Sequence, residues 1–238
     1  MGIQIPDMKT PVAKCLKLAV FTSQMLGKFP ANAALMALVP KMDSAAQLLG
    51  ASQNKYAEAV FAIIPTRVDA KFYNIIADKR IRQTQQKAEL AGKSIATHAF
   101  PKGSSPIIRL QGQSQIDEMI GLEGRLQSLE GNWNEAGSEK QAIAQHRDNY
   151  DKALKARDSA ANQAKADRAA RNLQKRAFIT VYSEIVHRVK AEFADDPTMQ
   201  ELFFDEVRIR PKAGQDDDED LEEDDGDVQD EGSEAKPA

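Results

Sequence analysis

Apolar positions along this chain recur three and four residues apart in blocks, and Gly and Pro punctuate the blocks at intervals that suit helices. Thr10-Pro11 is a start signal, Thr as N-cap and Pro at the first helical position, for an apolar-rich helix from Val12 to Leu26 that Gly27 and Pro30 close. A short apolar piece, Ala31 to Val39, lies between Pro30 and Pro40. Asp43 or Ser44 then caps a stretch carrying Leu48, Leu49, Val60, Phe61, Ile63 and Ile64, expected to stop near Pro65, where Thr66 caps the next helix with Val68, Phe72, Ile75, Ile76 and Ile81. Phe100 to Gln113 is the clearest loop, and inside it Ile107-Ile108-Arg109-Leu110 is compatible with a short strand. Val207-Arg208-Ile209-Arg210 alternates as a second strand would, and the two could pair as an edge ribbon. Ser114 opens a further helix that ends near Gly131.

The longest uninterrupted segment lies between Gly137 and Pro197, where 59 residues pass without Gly or Pro. As one helix it would extend about 90 Å, a length typical of coiled coils, elongated bundles and spacers. At 100° per residue, Ala166, Ala170, Leu173 and Ala177 share one side, and Arg157, Arg168, Arg171 and Lys175 share the other. Beyond Phe178 the apolar side moves: Phe178, Tyr182, Ile185, Val186, Val189 and Phe193 lie at the angles the basic residues occupied before. Either the helix bends or breaks near residue 177, or its halves pack against different neighbours. Asp195-Asp196-Pro197 stops the segment, and a short helix from Thr198 to Phe204 can fold its Met199, Leu202, Phe203 and Phe204 back onto the bundle.

Charge divides the chain differently. The formal net charge of -4 conceals a C-terminal stretch, Gln215 to Ala238, with 13 acidic residues and one Lys, against a body of 31 basic and 23 acidic residues. From Asp216 to Glu234 the only aliphatic residues are Leu221 and Val228, so residues 213–238 read as a disordered acidic tail following a helical domain over 1–212. No apolar run nears the roughly 18 residues of a membrane span. A basic, then apolar N-terminal leader is absent, and Cys15 is the single cysteine, which together point to a reducing, cytoplasmic setting.

Catalytic signatures are nearly absent: no phosphate loop, no Gly-x-Gly-x-x-Gly, no His-Glu-x-x-His and no Gly-x-Ser-x-Gly. Glu184 and His187 have the Glu-x-x-His spacing of ferritin-like carboxylate bundles, but neither His98 nor His146 supplies a second copy, and both residues fall off the local apolar stripe. The basic row Arg157, Arg168, Arg171 and Lys175 could track phosphates, since Lys152 to Lys190 holds ten basic and three acidic residues, yet no aromatic residues interleave with it. The sequence therefore predicts an all-α, elongated helical bundle with one long helix over about 138–194. The role it favours is non-enzymatic and structural, needing no cofactor or metal and acting through self-association or a protein partner, with Ala166, Ala170, Leu173 and Ala177 as the contact face. Polyanion binding tempered by the tail is the alternative, and a metal-binding bundle stands third.

Overall fold

The computed structural model describes residues 3–205. The expected tail and the alternating stretch Val207 to Arg210 lie outside the described residues. Within them the fold is all-α, in the order α1 (Val12–Leu26), α2 (Ala33–Met36), α3 (Val39–Ala91), α4 (Lys93–Ala99), α5 (Ser105–Ile108), α6 (Gln113–Ser128), α7 (Ala136–Glu192) and α8 (Pro197–Leu202). None of these helices is long and apolar enough to cross a membrane.

Two rods dominate, α3 of 53 residues and α7 of 57, the latter about 85 Å long. They run antiparallel against each other: Lys41 meets Glu184, Lys55 meets Asp167 and Arg80 meets Glu139, so residue numbers fall along α7 as they rise along α3. Short helices thicken both ends. At one end α1 and residues following α8 join the start of α3 and the end of α7 around Leu26, Met42, Leu49, Phe178, Tyr182, Ile185, Val189 and Phe203. At the other, α4, α5 and α6 close over Ala77, Ile81, Met119, Leu122, Leu126, Trp133 and Ile143. A small cluster of Ala70, Ile116, Tyr150, Ala153 and Leu154 lies between them.

Several boundaries depart from the sequence-based expectation. The segment read as stopping at Pro65 and restarting at a Thr66 cap is one helix, α3, with Pro65 inside it. Proline removes one backbone donor, and that leaves the carbonyl of Phe61 without its helical partner. Both residues are exposed, so water can reach that carbonyl, while contacts with α7 hold the helix on either side of the gap. Thr66 does not cap; its hydroxyl donates to the Ile63 carbonyl at 2.7 Å. Ile107 to Leu110 forms no strand: Ser105–Ile108 is a helical turn, α5, and the Ile107 side chain is buried. Thr10 is not the N-cap of α1, which is Pro11; the Thr10 hydroxyl instead accepts from the Asp7 amide and donates to the Asp7 carboxylate, folding the chain just before the helix. The loop before α6 ends at Gly112, whose φ of 63° suits a residue without Cβ.

The long helix is continuous through residue 177, and its inward face does not change side. Buried positions run through Tyr150, Ala153, Ala164, Asp167, Lys175, Phe178, Tyr182 and Ile185 at helical spacing. What changes near residue 177 is the chemistry on that one face, from Asp167 and Lys175 to Phe178 and Tyr182. A hydrophobicity pattern registers such a change as a rotation, because it follows apolar residues rather than buried ones.

Candidate interaction surface

Polar inward residues give the middle of the hairpin an unusual cross-section. Asp167 on α7 accepts Lys55 of α3 at 2.9 Å and the Gln163 amide at 2.8 Å, and these hydrogen bonds hold its carboxyl below the usual range. The Arg171 guanidinium lies 4.5 Å from the centre of the Tyr56 ring. Lys175 is buried and donates to the Met8 carbonyl at 2.9 Å, tying the N-terminal arm to α7. Close by, burial pushes the Cys15 thiol up in pKa, so it is held protonated and unreactive. Between residues 155 and 175 the only buried apolar side chain of α7 is Ala164.

Farther along the hairpin, between residues 61 and 75, α3 carries large apolar residues outward. Phe61, Ile64, Val68, Phe72 and Ile75 are each more than half exposed, Phe61 at 70%. At 100° per residue the five fall within about 80° of one another, a single straight stripe about 21 Å long. Ala70 and Ala77, on the other side of the same helix, are buried against neighbouring helices. Over this span the five large side chains face water and Ala70 and Ala77 face the interior. A shallow groove of about 530 Å³ runs beside the stripe, lined by Arg67, Val68, Lys71, Asn74, Ile75 and Arg157 among others.

The residues singled out from sequence separate in space. Ala166, Ala170, Leu173 and Ala177 all lie exposed on α7, with Leu173 at 64%, so no part of the described chain packs on them. Of the basic row, Arg157 is exposed and paired with Asp158 at 2.9 Å, Arg168 is exposed, Arg171 is half-buried over Tyr56 and Lys175 is inside. The four therefore do not form one solvent-facing row, and two of them serve internal contacts. Glu184 pairs with Lys41 at 2.8 Å, which lowers its pKa, and His187 is exposed, so the Glu-x-x-His pair does not turn into the bundle. Among the described residues no group of three or more His, Cys, Asp or Glu side chains is placed to hold a metal ion. The outward stripe of α3 went unrecognised in the sequence, because the break expected at Pro65 divided Phe61 and Phe72 between two helices. Its signal was present: Phe61, Ile64, Val68, Phe72 and Ile75 form one unbroken series once the proline is passed.

Comparison with known protein families, curated proteins and solved structures gives no match to this chain.

Proposed function

We propose that the protein is a non-enzymatic structural element, a rigid helical hairpin that works by offering a contact face to other protein surfaces. The observation that carries this reading is the α3 stripe. Five large apolar side chains leave roughly 500 Å² of apolar surface in water, the size of the largest patch on an ordinary monomer, which is often functional. A helix about 85 Å long with its cores at the two ends suits a spacer or scaffold, since it fixes the separation of whatever binds along it. Packing and surface charge would supply the mechanism, in a reducing compartment such as the cytoplasm, where the lone buried Cys15 stays a thiol.

Site-directed labelling in intact cells tests the reading. Cysteine placed at Ile64, within the stripe, should be protected from a membrane-permeant maleimide. Cysteine at Gln83, exposed on the same helix beyond the stripe, should label freely. Equal labelling of both would show that nothing covers the stripe in the cell and would remove the proposal.

A further inference from the structure

The spacing of the stripe points to its occupant. Counted from Val68, the other members stand at -7 (Phe61), -4 (Ile64), +4 (Phe72) and +7 (Ile75), so the series reads the same in both directions. Two copies of α3 related by a two-fold axis through Val68 would run antiparallel and place each position against its opposite. Phe61 then meets Ile75, Ile64 meets Phe72 and Val68 meets Val68, an aromatic ring against an aliphatic side chain at every off-axis contact. We infer that the stripe is the isologous interface of a homodimer, each α3 lying across the other at Val68. This rests on the interaction role assigned above to the same face.

Packing rules fit the geometry. Ile64, Val68 and Phe72 lie on an i±4 row, the ridge that interdigitates when two helices cross at about 50°. Helices crossed at that angle touch over only a few turns around the axis, which matches a stripe that stops at Phe61 and Ile75. The angle also resolves a steric conflict. α1 lies over α3 at Gly50 through Leu16, about 27 Å from Val68, where a crossed partner helix has moved about 20 Å to the side and clears it.

Area and composition favour a second copy over the chain's own C-terminal stretch. Two stripes bury roughly 1,000 Å², the threshold for a specific interface, before flanking residues are added. Residues 206–238 offer only Val207, Ile209, Leu221 and Val228 as branched aliphatic side chains among 14 acidic ones, too little to cover two Phe, two Ile and one Val. Lys71, beside Ile64 and Ile75 on the wheel, can lay its stem along the partner's Ile64 and keep its ammonium in water. The axis passes near the midpoint of α3, so the assembly is an X of two hairpins with four free ends.

Sedimentation equilibrium of the full chain at micromolar concentration should give twice 26.2 kDa. Phe72→Glu should give the monomer mass with an unchanged helical circular-dichroism spectrum, since Phe72 is more than half exposed and touches the small central cluster only through the Tyr73 ring, and Phe72→Leu should stay dimeric. With a short bis-maleimide, Val68→Cys should cross-link to itself, and Phe61→Cys should cross-link to Ile75→Cys in a mixture but not to itself. The unsubstituted chain, with only buried Cys15, should not cross-link. A monomeric parent chain, or a Phe72→Glu variant that stays dimeric, overturns the inference, and self-linkage of Phe61→Cys overturns the antiparallel register. A monomer whose Ile64→Cys site is nonetheless protected in cells would refute the homodimer while leaving the interaction role standing.

Discussion

Glu139 sits at the point where three residues of α3 reach α7. Its carboxylate, 1% exposed, accepts from the Thr84 hydroxyl at 2.8 Å, from Lys87 at 2.6 Å and from Arg80. Burial pushes its pKa up, but hydrogen bonds from Lys87 and Thr84 and the Arg80 charge outweigh burial and hold it below its usual value. A carboxyl whose folded pKa is lowered stabilises the fold fully above its unfolded pKa, about 4.3, and loses that contribution as pH falls through the lowered folded value. Glu139→Gln should therefore cost about 2–3 kcal/mol at neutral pH in urea unfolding, because Arg80 loses its charge partner in a partly dry site and Lys87 keeps only Glu135. Its stability should also fall less than the parent's between about pH 5 and pH 3. Parallel stability curves would show that the cluster does not couple to pH. None of these pairings was legible in the sequence, since the partners stand 52 to 59 positions from Glu139, a separation only the register of α3 on α7 specifies.

At the scale of single elements, local chemistry located the ends of α1, α7 and α8 within two residues and failed where a neighbour decided the outcome, as at the expected Asp43 or Ser44 cap, which lies inside α3. The long segment expected over about 138–194 is Ala136–Glu192, because absence of Gly and Pro leaves the backbone free to propagate. Asp196 caps α8 by accepting from the Met199 amide at 3.0 Å, and Phe203 and Phe204 fold back into the core. Pro65 shows the opposite case. A proline inside a helix costs about 3 kcal/mol, yet α3 continues because α7 lies along it on both sides. Pro65→Ala, at this exposed position, should raise stability by about 1–3 kcal/mol with an unchanged denaturant slope, measured by urea unfolding at concentrations below those where the chains associate. Destabilisation would mean that the proline sets a bend on which packing depends. Ile107 to Leu110 fails for a related reason: four apolar-rich residues fit a strand or a helical turn equally well, and the buried site of Ile107 beneath α6 selects the turn.

Across the whole molecule the apolar cores stand at the two ends of the hairpin, and the waist is held by Lys55–Asp167, Arg171 on Tyr56 and small residues. Local opening free energy follows buried apolar contact, so amides of α7 between Asp158 and Gln174 should exchange with deuterium faster than those of 139–154 or 178–189. Uniform protection along α7, read by mass spectrometry, would contradict this division. The exposed stripe from Phe61 to Ile75 lies next along the hairpin, beside the small cluster of Ala70, Tyr150 and Leu154, and a second chain seated there would add to the burial that this cluster supplies.

The sequence by itself determined that this chain is helical, that one helix is very long and that no familiar catalytic pattern is present. Those properties follow from propensity, breakers and residue type, all local in the chain. Which face of each helix is inside was decided only by the tertiary structure. Apolar periodicity identifies the inner face only where that face is apolar, and here Asp167, Arg171 and Lys175 line it while Phe61, Val68 and Phe72 do not. Ion pairs between residues more than a hundred positions apart, Lys41 with Glu184 and Lys55 with Asp167, link the two rods, so the outward stripe appears only once α3 and α7 are set side by side.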